Sequence, residues 1–358
     1  MTAVAESATV SAPAWRRPGP GLIVVIGLIV SVVLVVGSIA IGTAGVGPAD
    51  VIRTIAIRLF AQPVPSDYEA TVTIIGDLRL PRALLAFIAG AALSMAGTVM
   101  QGLLRNPLVS PYTLGISPAA AFGAALAILV TRGTMGQTND LVTILSALGM
   151  GLAVSFLVLA LASFRRMTAT MLILLGIALS QLFEALTSTL QYVVDEDTLS
   201  QIVRWTFGSV NSATWSQVGI LAVLVALAVP YLSLNAKSLN AIAYAGDDVA
   251  TSLGVNVPRT RTLLIVASVL LTAVVVSFTG IIGFVGLVGP HIARIVIGAD
   301  HRHLLPFSAI TGGVLLVVAD TLGRTVLSPA VVPVGIVVAI IGAPIFIQLV
   351  FSRRTAAL

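Results

Sequence analysis

Gly21 to Gly42 contains no charged side chain. As a helix it would measure about 33 Å at roughly 1.5 Å per residue, enough to cross the hydrocarbon core of a bilayer. Runs of similar length, each with at most one charged residue, recur at 82–104, 112–131, 141–163, 168–191, 213–234, 260–279, 281–298, 304–322 and 333–351. In lipid no water is available to satisfy the backbone, so each run must close its own hydrogen bonds as a helix. The pattern predicts an all-α polytopic membrane protein of about ten transmembrane helices, with tails at 1–20 and 352–358 around a membrane domain at 21–351. Composition agrees, at 58% hydrophobic and 9% charged over 358 residues, far from the soluble average. Arg16 and Arg17 ahead of the first run imitate a secretory leader. The run is longer than a leader's apolar region and lacks a small-residue cleavage motif, so it is read as a retained helix.

Ten crossings put both termini on one side, and the arginines decide which. With the N-terminus inside, the inner segments hold Arg16, Arg17, Arg105, Arg165, Arg166, Lys237, Arg259, Arg261, Arg294, Arg302, Arg353 and Arg354. The outer segments hold Arg53, Arg58, Arg79, Arg82, Arg132, Arg204 and Arg324. The excess inside predicts cytoplasmic termini. The net charge of +5 is spread around the apolar runs as orienting charge, which argues against a nucleic-acid surface.

Two connections exceed turn length. The outer one, 44–80, contains an amphipathic stretch, Ala49 to Phe60, suited to lying along the membrane surface. The inner one, 235–260, carries Asp247 and Asp248 where a short helix would begin and Leu253-Gly254 where it would end. A third irregularity lies inside the membrane. Gly280, Gly283, Gly286 and Gly289 recur every third residue and are followed by Pro290 and His291. Helix breakers at that depth are tolerated only where protein or a water-filled cavity covers the freed backbone groups. The stretch therefore reads as part of a gated path.

Several chemistries are excluded. With no cysteine, disulfides and thiolate metal sites are impossible. The single lysine, Lys237, has no glycine-rich phosphate cradle before it, so the chain does not hydrolyse ATP. No G-x-S-x-G elbow or HExxH metal motif occurs, and His301-x-His303 reads as an exposed turn. No metal site or resident cofactor is expected. Glu184 and Asp320 are the acids deepest in the apolar runs. They read either as a proton relay or as hydrogen-bonded carboxyls tying helices together, Asp320 with Arg324 one turn later.

Four stretches resemble the FecCD family of permease subunits from binding-protein-dependent ABC importers of ferric siderophores, haem and vitamin B12. They are RLPRALLAFIAGAALSMAGTVMQGLLRNPLVSPYTLGIS (79–117), GDDVATSLGV (246–255), GFVGLVGPHIARIVIGADHRHLLPFSAITGGVLLVVAD (283–320) and PVGIVVAIIGAPIFIQLV (333–350). The resemblance implies a ten-helix permease in the bacterial plasma (inner) membrane that moves a ferric siderophore or similar metal chelate by ATP-driven alternating access. It implies four kinds of partner: a second permease subunit, a cytoplasmic ABC ATPase dimer that binds ATP and Mg, an extracytoplasmic substrate-binding protein, and the chelate itself. By the same resemblance Arg79, Arg82 and Arg324 would meet carboxylates of the docked binding protein. Gly246, Asp247, Asp248, Ala250, Leu253 and Gly254 would contact the ATPase, and Gly283, Gly286, Gly289, Pro290 and His291 would belong to the gate. The alternative left open by the residues is a proton-driven secondary transporter using Glu184 and Asp320.

Overall fold

The computed structural model describes residues 19–42, 45–165 and 169–351. The tails expected at 1–20 and 352–358, Gly19 and Pro20 apart, lie outside the described residues, as do Arg166, Arg353 and Arg354. In chain order the helices are α1 (Pro20–Ala40), α2 (Pro48–Leu59), α3 (Glu69–Thr73), α4 (Leu80–Leu103), α5 (Ile116–Met135), α6 (Asp140–Arg165) and α7 (Ala169–Val193). They continue as α8 (Glu196–Thr206), α9 (Trp215–Leu234), α10 (Ala236–Asn240), α11 (Gly246–Ser252), α12 (Val257–Thr279), α13 (Val285–Ile297), α14 (His301–Thr325) and α15 (Val334–Phe351). Eight helical stretches among the described residues are long and apolar enough to span a membrane, and α13 and α15 supply two shorter apolar ones. The ten expected runs all appear, and α2 occupies the predicted amphipathic stretch.

The bundle is organised around α4, which packs against α9, α12, α13 and α14 and is buried almost throughout, from Ala83 to Leu103. Between helices in lipid the hydrophobic effect offers little, and close backbone contact replaces it. Small residues make that contact possible. A Cβ on Gly97 would sit 1.9 Å from the carbonyl oxygen of Gly286, and one on Gly90 would sit 2.2 Å from that of Gly312. Any side chain at either position would push α13 or α14 away from α4.

Two expected boundaries are corrected. The second span does not begin at 82: helix runs back through a wide π turn at Ile74–Arg79 to Glu69, giving one rod to Leu103. Pro81 explains the turn. It has no N–H and its ring crowds the carbonyl four residues back; the turn, in which Leu80 N–H bonds to Ile75 O, widens the helix just before it. The span expected at 281–298 is helical only over α13. Residues 280–284 form a break, with Gly280 at φ 70° and Phe284 at φ 62°.

Candidate functional site

At the end of the bundle where α1 finishes and α4 begins, three arginines converge. Arg82 donates from Nε and Nη2 to Asp320 of α14 at 3.0 and 2.8 Å, and from Nη1 to Asn211. Arg324 donates from Nε to the same carboxylate at 3.2 Å and from its terminal nitrogens to the carbonyls of Ser38 and Ile41 at 2.9 and 3.1 Å. Arg79 reaches the Ile39 carbonyl at 2.8 Å. The last carbonyls of α1 have no intrahelical donors, and two guanidinium groups satisfy them. Asp320 is thus the hub of the cluster, with its side chain 5% exposed against 13% for Arg82 and 14% for Arg324. The i,i+4 contact to Arg324 was readable from sequence; the pairing with Arg82, 238 residues away, had no local signal. Asp320 ties helices together, and the relay reading loses one of its two carboxyls.

At the opposite end, about 30 Å along α4 from Arg82 to Gly102 at 1.5 Å per residue, the 235–260 connection folds into a knob. α10 passes through a π turn at Ala241–Ala245 into α11, with Gly246 at φ 84°. Asp247 and Asp248 occupy the first turn of α11. The helix ends as expected at Leu253 and Gly254, where Val255 N–H bonds to Ala250 O at 3.0 Å in the arrangement that glycine favours. Asp247 is clamped by Arg261 at 2.8 Å. Val249 and Leu253 are exposed and Ala250 is fully buried. Ala250 therefore packs into the knob from within, against the outward position expected of it, and Val249 lies on the outer face.

The knob is bolted to α14. Asn240 donates to Asp300 at 2.8 Å and accepts from the backbone N–H and Nδ1 of the buried His301 at 3.0 and 2.6 Å. The same Asp300 caps α14. Hydrogen bonds from Arg302 hold its carboxyl far below the usual carboxylate range. His301 is thus a packed, hydrogen-bonded residue, which corrects its reading as an exposed turn. A cavity of about 310 Å³ opens beside it, lined by Gln101, Arg105, Tyr244 and Arg294 among others. No group of three or more His, Cys, Asp or Glu side chains able to hold a metal occurs among the described residues.

The glycine-rich stretch lies between these ends. Its broken backbone is covered by protein: Tyr112 Oη donates to Ile282 O at 2.7 Å and Ser209 N–H to Thr279 O at 2.7 Å. Gly286 and Gly289 press against α4, the latter against Ser94, while Gly283 faces open space. Pro290 and His291 are buried. The Gly289 carbonyl, just before Pro290, accepts from Thr311 at 3.0 Å. Glu184 sits apart from all of this, exposed on α7 with Gln181 Nε2 3.1 Å from its carboxylate.

Known proteins share this architecture. A model of the FecCD transport family matches residues 28–352. The chain is 40% identical to the Fe(3+) dicitrate transport system permease protein FecD of Escherichia coli strain K12 over 278 residues, 78% of this chain and 85% of that protein. It is 39% identical to the hemin transport system permease protein HmuU of Yersinia pestis over 278 residues, 78% and 83% of the two chains. Among solved structures, an inward-facing ABC transporter of the metal-chelate type superposes with a TM-score of 0.79 at 34% identity, covering 92% of this chain and 99% of that one.

Proposed function

The chain belongs to the FecCD transport family as the permease subunit of an ABC importer, and we propose that its cargo is a ferric siderophore or a similar metal chelate. It is not an enzyme; ATP hydrolysis belongs to a separate subunit. The observation that carries the mechanistic reading is the two-ended build: an arginine cluster at one end and a small protruding knob at the other, joined by the close-packed α4, α13 and α14.

In this reading the knob end is cytoplasmic, both termini lie on that side, and the membrane is the bacterial plasma (inner) membrane. Gly246, Asp247, Asp248, Val249, Leu253 and Gly254 form the surface that an ATPase dimer grips. Exposed Val249 and Leu253 favour this, because apolar side chains on a short polar knob suit burial by a partner. Movement of the knob passes through Asn240 to Asp300 and His301, and so to the start of α14. Packing against α14 and α4 carries it to Gly286, Gly289, Pro290 and His291, and the break at Gly283 supplies the pivot. At the other end Arg79, Arg82 and Arg324 receive carboxylates of a binding protein, a pairing suited to the guanidinium fork. Because Arg82 and Arg324 are held by Asp320, Arg79 is the arginine freest to make first contact. A second permease subunit completes the path.

Reconstitution tests the reading. Proteoliposomes holding this chain, its ATPase and its binding protein should accumulate a ferric chelate only with ATP and Mg, and the purified chain alone should hydrolyse none. Uptake that persists without nucleotide and follows a proton gradient would sink the proposal.

A further inference from the structure

Glu184 lies apart from the arginine cluster, the knob and the glycine-rich break, deep within α7. On α7 it lies 15 residues from Ala169 and nine from Val193, or about 22 and 14 Å from the two ends, well inside the span. Gln181, Glu184 and Ser188 follow at three- and four-residue spacing, on one face of the helix, and all three are exposed. The other face is the packed one. Leu172 and Thr187 are buried there, and a Cβ on Gly176 would lie 1.8 Å from Thr113 O.

A lipid-facing helix of this same chain looks different. The exposed face of α1 presents Leu22, Val25, Ile26, Ile29, Val32 and Val33, without a polar side chain among them. A carboxylate flanked by an amide and a hydroxyl is a poor surface for hydrocarbon, and a good one for water. Beyond Val193 the chain continues into exposed Asp195, Glu196 and Asp197. Thr198 holds the Asp195 carboxyl below its usual range by hydrogen bonding, and Asp197 meets Arg132 at 3.3 Å.

From this juxtaposition we infer that the Gln181–Glu184–Ser188 face of α7 lines the aqueous path, and that Glu184 makes the path selective for neutral or cationic chelates over anionic ones. The inference rests on the permease reading and narrows its cargo. A second copy related by symmetry would bring another such carboxylate to the same path, strengthening the exclusion. Electrostatic focusing in a narrow low-dielectric channel changes local ion concentration by tenfold or more.

The natural absence of cysteine makes the test direct. Ser188→Cys, in membranes carrying the full transport complex, is treated with a cationic and an anionic methanethiosulfonate of similar size, with and without ATP. The cationic reagent should react faster by about tenfold or more relative to its rate ratio on a free thiol. Glu184→Gln should collapse that preference, Glu184→Asp should keep it and Glu184→Lys should invert it. An introduced thiol that neither water-soluble reagent reaches in either state, or a preference indifferent to the side chain at position 184, overturns the inference. The permease reading fails separately, by loss of ATPase association and of ATP-driven uptake.

Discussion

Asp320 and Glu184 are both carboxylates placed deep in apolar helices, and the structure treats them in opposite ways. Asp320 is almost fully buried and ion-paired with both Arg82 and Arg324. Glu184 stands on a helix most of whose residues are not buried, with one glutamine beside it. A charge inside a membrane protein is held either by protein or by water. The first arrangement is a lock, costly to break from one side; the second is a surface, free to act on what passes.

The largest expected effect comes from breaking the lock. Asp320→Ala leaves two guanidinium groups without their buried partner and should lower stability by about 3–5 kcal/mol, read as a depressed thermal transition in detergent; a variant as stable as the native chain would remove Asp320 from its role. Next comes the knob. Deleting Asp247 to Leu253 should abolish copurification of the ATPase while the membrane bundle keeps its thermal transition, and retained association at full activity would count against the coupling role. Smaller is Arg79→Glu, which should weaken binding-protein docking by roughly tenfold, the 1–2 kcal/mol of a lost charge-assisted contact, and leave ATPase assembly intact. The smallest effect tests the open region: Glu184→Gln should alter stability by no more than about 0.5 kcal/mol. A large loss there would make Glu184 a second lock and erase the contrast.

Acidity separates the ends in another way. The Asp300 carboxyl is depressed by Arg302, so its contribution is fully present above the ordinary carboxylate value near 3.9 and is lost only as pH falls below that toward the depressed value. The bolt between knob and α14 should therefore be indifferent to pH between about 5 and 8, checked by ATPase association across that range.

Much of this was legible in the sequence, and the exceptions have physical causes. Apolar run length located the ten spans because lipid dictates helix. The ends of α11 were readable because acidic residues at its start and glycine at its finish each satisfy a local rule. The backward extension of α4 was hidden because Asp77 and Arg79 interrupt the apolar pattern and Pro81 ordinarily ends a helix, whereas the π turn absorbs it. The inward side of Ala250 was hidden because a seven-residue helix shows no periodicity that distinguishes its faces. The arginine cluster was half visible: the Asp320–Arg324 contact one turn apart was readable, yet the pairing of Asp320 with Arg82 and the carbonyls of α1 that hold Arg79 and Arg324 come from tertiary proximity alone.

The break at 280–284 carries one more consequence. Besides local hydrogen bonds to the Gly280, Gly283 and Phe284 carbonyls, two bonds tie it and the end of α12 to other segments, from Tyr112 Oη to Ile282 O and from Ser209 N–H to Thr279 O. At about 1 kcal/mol each, releasing both changes the ratio of two conformers by roughly thirtyfold, a small step beside the cost of unwinding an intact membrane helix. The hold on the segment from outside is thus only a few kcal/mol, and Tyr112→Phe, which removes one of the two bonds, should loosen it by about 1 kcal/mol, read as faster hydrogen exchange across 280–284.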